Sequence, residues 1–256
     1  MTPNAARSRL LPTRGGAMVV VGLIVFGLII VGGLYVTPRA TPPQPPEHVA
    51  VGAPHHKLRF VSYDLARQPP ANEPMLPAIV KLDPDFVLLQ DVNEDDVVEI
   101  AQFFGMQHSY HPQLYQRSEH LAGKRGTWGN VILSRQSLYQ GSPLGGIRGG
   151  FGAWAASIVD DRKFFVACVH FAAGDAGAAE AKALQEIWKS RGSPPLVAAV
   201  LSSDPKPPAR MDFLQKAVAS NGVWFYLTKE WTVVGQGEAP GAGRGLLPRW
   251  IDVVGN

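Results

Sequence analysis

Apolar residues in this chain come in short runs that polar residues close. LRFVSYDL (58–65), DFVLLQDV (85–92), WGNVILSR (128–135), AWAASIV (153–159), KFFVACVHF (163–171), PLVAAVLS (195–202) and RWIDVV (249–254) are each of strand length and mostly apolar at successive positions. Such runs predict strands buried on both faces. Residues 74–82, 93–104, 178–190 and 210–220 carry helix formers, most clearly AAEAKALQEIWKS at 178–190. Strands alternating with helices predict a layered α/β domain whose sheets are covered by helices. No internal repeat is visible.

The pattern changes before residue 57. Residues 17–36, AMVVVGLIVFGLIIVGGLYV, run without a charge, and twenty helical residues span about 30 Å, enough to cross a bilayer. Arg7, Arg9 and Arg14 precede the run. The excess of positive charge on that side places residues 1–16 in the cytoplasm as a basic tail and the rest of the chain outside it. A cleaved signal peptide or a core helix would also be apolar. Signal peptides have apolar regions of about 7–15 residues, so the length favours a single uncleaved anchor. Residues 37–56 contain six prolines and end in His55 and His56, the composition of a semi-rigid, extended linker. The globular domain is expected over 57–256.

Composition narrows the function classes. The formal charge is +3, and residues 1–56 hold four arginines against Glu47 alone. The expected domain therefore has as many acidic as basic side chains, and no strong nucleic-acid signature. One cysteine, Cys168, excludes an intrachain disulfide and a cysteine-rich zinc site; within its apolar run it reads as inert core. The tryptophans read as core, and GGIRGGFG (145–152) lacks the GK[ST] of a phosphate loop.

The candidate chemistry lies where polar residues end apolar strands: Asp64, Asp91, His170, Ser202 to Asp204, and Asp252 within the final strand. Ligand sites on α/β sheets gather at strand ends. Convergent aspartates would supply hard oxygen ligands suited to Mg²⁺ or Mn²⁺, and His170 would serve as acid or base.

Five of these segments, in order, resemble the endonuclease/exonuclease/phosphatase superfamily of metal-dependent phosphoesterases. LRFVSYDL matches an LRVLSYNI-like strand, PDFVLLQDV a PDIVLLQEV-like strand, Gly129–Arg135 a GNAILSR-like strand, Val169–Phe171 a strand ending in His-Leu, and Trp250–Val253 a RIDYI-like strand. The resemblance implies two mixed sheets in a β-sandwich flanked by helices. It also implies metal ligands at Asp64 and Asp91, catalytic roles for His170, Asp252 and Asp204, and a substrate contact at Asn130. The departures are Asp64 for asparagine, Asp91 for glutamate, and VLSSD (200–204) for Gly-Asp-x-Asn. In that segment either Ser202 and Asp204 stand at the aspartate and asparagine, or the register lies one residue away. The family's terminal Ser-Asp-His has no counterpart between Asp252 and Asn256. The expectation is a membrane-anchored domain with an eroded phosphoesterase site that binds partners. The alternative is an active Mg²⁺- or Mn²⁺-dependent hydrolase of a nucleic-acid, nucleotide or lipid phosphoester.

Overall fold

The structure, a computed structural model, describes residues 50–66, 70, 73–117, 125–145, 151–202, 211–220, 223–240 and 247–256. The predicted tail, apolar span and most of the linker lie outside the described residues. Among the described residues no helix is long and apolar enough to cross a membrane.

Among the described residues thirteen strands form two mixed sheets. In chain order they are β1 (Ala50–Val51), β2 (Leu58–Asp64), β3 (Phe86–Asn93), β4 (Gln107–Arg117), β5 (Arg125–Ser134), β6 (Leu138–Leu144), β7 (Gly152–Val159), β8 (Arg162–Phe171), β9 (Leu196–Ser202), β10 (Gln215–Ser220), β11 (Val223–Leu227), β12 (Trp231–Glu238) and β13 (Arg249–Gly255). The first sheet runs β12-β13-β2-β3-β5-β4. The second runs β10-β11-β9-β8-β7-β6, with β1 added against β8. Three helices are described: α1 (Leu76–Lys81), α2 (Val97–Phe104) and α3 (Gly174–Ser190).

Each sheet holds a parallel pair of strands joined through a helix. β2 and β3 are parallel and joined through α1; β8 and β9 are parallel and joined through α3. A parallel connection must return over the sheet, so its helix covers one face. Helices α1 and α2 cover the outer face of the first sheet over Val61, Val87 and Leu89. Helix α3 covers the second through Ala181 and Leu184. The remaining faces pack on each other.

That inner layer has two different ends. Where β2 and β3 begin, Phe60 stacks on Phe86 with centroids 4.6 Å apart, and Phe164 of the opposite sheet meets Phe86 edge-on at 5.8 Å. Trp231 closes the group against Phe60 and Phe164. Where the parallel strands end, the inner layer turns polar.

Two expectations change. The composition of residues 210–220 predicts a helix, yet Gln215–Ser220 is a strand paired with β11. Its leucine, glutamine, lysine and alanine favour helix, but ladder hydrogen bonds to Val223–Leu227 outweigh that weak preference. The folded part also begins before Lys57: β1 pairs with β8, Gly52 N–H donates to Lys163 O at 3.0 Å, and the His56 imidazole meets Asp160 Oδ2 at 2.6 Å. The end of the predicted linker is thus the last strand added to the second sheet.

If the aromatic end holds the sheets together, Phe86→Ala removes a fully buried ring and costs about 3–5 kcal/mol. Urea unfolding of the full chain measures this, and a loss below about 1 kcal/mol would place the clamp elsewhere.

Candidate functional site

Strand periodicity decides which side chains meet. On β2, Leu58 and Phe60 face the opposite sheet while Val61 faces the helices, so Ser62 and Asp64 continue the inner face. On β8, Val166 and Cys168 are inner, and His170 follows them. On β3, Phe86 and Leu88 are inner and Gln90 continues. Asp91 would then point outward, but the register with β5 shifts between Leu89 and Val92, and Asp91 has φ +52°. This bulge returns Val92 to the helix side and turns Asp91 inward. Aspartate tolerates that conformation better than most residues.

The result is a polar mouth between the sheets. His170 Nδ1 lies 3.4 Å from Asp91 Oδ1, with side chains 20% and 14% exposed. Below them, Gln90 Nε2 donates to Ser62 Oγ at 3.0 Å and to Cys168 Sγ at 3.3 Å, and Cys168 donates to Leu89 O at 3.4 Å. Burial pushes the Cys168 thiol well above its ordinary range, so it stays protonated and inert, as the sequence suggested. Asp64 ends β2 in register with Gln90, and its Oδ1 accepts the Ala66 N–H at 2.8 Å.

The six sequence-derived candidates separate. Asp64, Asp91, His170 and Asn130 share the inner, polar end; Asn130 is completely buried, a support beneath the mouth rather than part of its surface. Asp204 lies outside the described residues. Asp252 is the correction. It pairs with Arg59 near the start of β2, at the other end of the strand from Asp64. Its neighbours Ile251 and Val253 face inward, so Asp252 faces the helix side. There Arg59 Nε donates to Oδ1 at 2.6 Å, Arg59 Nη2 to Oδ2 at 2.8 Å, and Lys57 Nζ to Oδ2 at 3.2 Å. Arg59 also lies 4.8 Å over the Trp250 ring.

Three contributors escaped the sequence reading. Arg249 is partner to Ser62 and thus faces inward, where it pairs with Glu238. Glu180 on α3 accepts the Ala172 N–H at 2.8 Å just past His170. Burial raises its carboxyl above the ordinary range, opposed by that amide and by the nearby His170. His111, partner to Asn130 across β4 and β5, is held neutral by burial, its pKa lowered to about 4. Only strand pairing and the return of α3 bring these groups to this end.

As a metal site, the donor set does not fit. Two carboxylates, Asp64 and Asp91, face the mouth, and among the described residues no group of three or more His, Cys, Asp or Glu side chains is placed to hold an ion.

No family model and no curated protein matches the sequence. Solved structures do. An endonuclease/exonuclease/phosphatase from Beutenbergia cavernae aligns with TM-score 0.58 and 14% identity over 78% of this chain and 72% of its own. One from Bacteroides vulgatus aligns with TM-score 0.60 and 11% identity over 78% of this chain and 100% of its own. The human Nocturnin catalytic domain, solved with a bound sulfate anion, aligns with TM-score 0.58 and 14% identity over 85% of this chain and 100% of its own. The chain has the endonuclease/exonuclease/phosphatase fold. Within that fold its carboxylates are split between the two ends: Asp91 meets an imidazole at the mouth, and Asp252 meets two cations at the far end.

The Asp252 assignment has a pH signature. Arg59 holds its carboxyl below the ordinary range, against the opposing effect of burial, and Lys57 assists. A depressed folded-state pKa contributes stability above the unfolded value of about 3.9 and loses it as pH falls through the folded value. Asp252→Asn is expected to cost about 1–3 kcal/mol at neutral pH, a difference that shrinks below about pH 4. Urea midpoints from pH 3 to 7 test it; a difference that grows toward low pH would contradict the ion pair.

Proposed function

We propose that this protein is a membrane-anchored domain of the endonuclease/exonuclease/phosphatase fold whose phosphoesterase site is eroded. On this reading it hydrolyses phosphoesters weakly or not at all and serves as a binding module outside the cytoplasm. The observation that carries the proposal is the diversion of Asp252 into the Arg59 and Lys57 ion pair at the far end of the sheet. Among the described residues it leaves Asp64 and Asp91 as the carboxylates for a divalent ion such as Mg²⁺ or Mn²⁺. The sequence departures at 64, 91 and 200–204 support the same reading. Losing one group that stabilises a transition state costs about 10²–10³ in rate. Two losses within one cooperating site do not simply add, and a deficit on the order of 10³ or more follows.

The test is hydrolysis of bis(4-nitrophenyl) phosphate by the full chain in detergent, with Mg²⁺ or Mn²⁺, beside Asp91→Ala and His170→Ala. The expected result is a rate that neither the metal nor either substitution changes. Metal-dependent turnover abolished by both substitutions would overturn the proposal, and the Asp91–His170 pair would then belong to an active phosphoesterase.

The anchor rests on residues 17–36 and the arginines before them. The protein is expected to resist alkaline carbonate extraction from membranes, and protease added to intact cells is expected to remove the domain while sparing residues 1–16. Release by carbonate would sink the anchor, and an inaccessible domain would reverse the orientation.

A further inference from the structure

The outer face of the first sheet carries a second feature, separated from the mouth by the sheet itself. Helices α1 and α2, with Pro70, Glu73 and Pro74 ahead of α1, enclose an open groove of about 420 Å³, within the range of about 300–1,000 Å³ typical of ligand sites. Its walls are Leu76, Pro77, Ile100 and Phe103, with Glu73 and Glu99 among them. Phe103 is 51% exposed although it is a large aromatic ring. The same helices expose Val80 and Val98. Exposed apolar residues concentrated on one face mark an interaction surface more often than scattered ones do.

The charge of the groove selects its occupant. None of the described lining residues is basic. Among the described residues neither Glu73 nor Glu99 forms an ion pair. Glu73 is fixed in place: Oε1 accepts the Met75 N–H at 3.0 Å, and the Tyr63 hydroxyl bonds to it, which with burial raises the tyrosine pKa. The 3₁₀ turn Glu94–Asp96 leads directly into α2 and adds three acidic residues beside it. An anionic membrane surface would be repelled by this field. A cation carried on an apolar body would satisfy both walls, as Lys and Arg stems do when they lie along apolar surface with the charge at the tip.

We infer that this groove docks a peptide segment of a partner protein that presents bulky apolar side chains next to lysine or arginine. Phe103 takes the apolar side chains together with the exposed Pro74 and Pro77, over a floor closed by the buried Leu76 and Ile100, and Glu73 and Glu99 take the cation. The site is independent of the mouth and of any phosphoester chemistry there.

The full chain in phosphatidylcholine nanodiscs tests it, with a fluorescein-labelled octapeptide of alternating leucine and lysine as probe. A peptide with glutamate for lysine and empty nanodiscs serve as controls. Anisotropy is expected to show saturable binding of the lysine peptide only. Glu99→Lys is expected to weaken it at least tenfold and Phe103→Ala at least threefold, while Glu186→Lys on the exposed face of α3 leaves it unchanged. Glu99 and Phe103 are surface positions, so both variants keep the fold, checked by circular dichroism. Equal binding of both peptides, no binding, or equal loss in Glu186→Lys would overturn the inference.

Discussion

Two parallel strand pairs, β2–β3 and β8–β9, set the terms for everything else in this domain. A parallel pair needs a crossover, the crossover places a helix on one face, and the other face must then be buried against something apolar. Each sheet is what the other has available. The runs FVSY, FVLLQ, FFVACV and LVAAV are apolar at consecutive positions because both neighbours of each strand side are dry. This arrangement also fixes polarity: the carboxyl ends of all four strands come together, as the contact from Asp91 to His170 between the sheets records.

The interior is graded along that axis. Phe60, Phe86, Phe164 and Trp231 close one end through stacked and edge-on rings. Aromatic pairs add about 0.5–1.5 kcal/mol each beyond their buried area. At the other end Gln90, Ser62 and Cys168 satisfy one another across the inner layer, so the transition from apolar to polar interior leaves their hydrogen-bonding groups matched. The Asp91 bulge sits at this transition. One extra residue turns a side chain from the helix face to the inner face without disturbing the rest of the strand.

The same periodicity removes Asp252 from the chemistry. Its strand runs antiparallel to β2, so a position late in β13 lies at the aromatic end, and its parity turns it to the helix side. There it anchors Arg59, whose guanidinium also reaches Leu82 O at 2.6 Å and so ties the end of α1 to β2. A carboxylate that looks catalytic in the sequence is paired with Arg59 and Lys57. The outer face over α1 and α2 then offers the opposite electrostatics from a phosphate site: acidic walls around apolar ones.

The sequence by itself determined the layered α/β class, seven of the strands, the three long-range landmarks Asp64, Asp91 and His170, and the inert Cys168. These are local facts: apolar runs of strand length, and polar residues at their ends, are dictated by burial of both faces. It missed the strands β1, β4, β6, β10, β11 and β12; apart from the two-residue β1 and the apolar run of β11, their mixed composition fits helix or loop as well as strand, because strand identity there is conferred by a neighbouring ladder. Only the tertiary structure decided which polar residues meet. Whether Asp252 joins Asp91 depends on strand direction and on odd or even register, and whether Arg249, Glu180 and His111 reach the mouth depends on pairing partners and on where α3 returns. A side chain's face changes with every single-residue shift, and no local pattern records which strand will lie beside it.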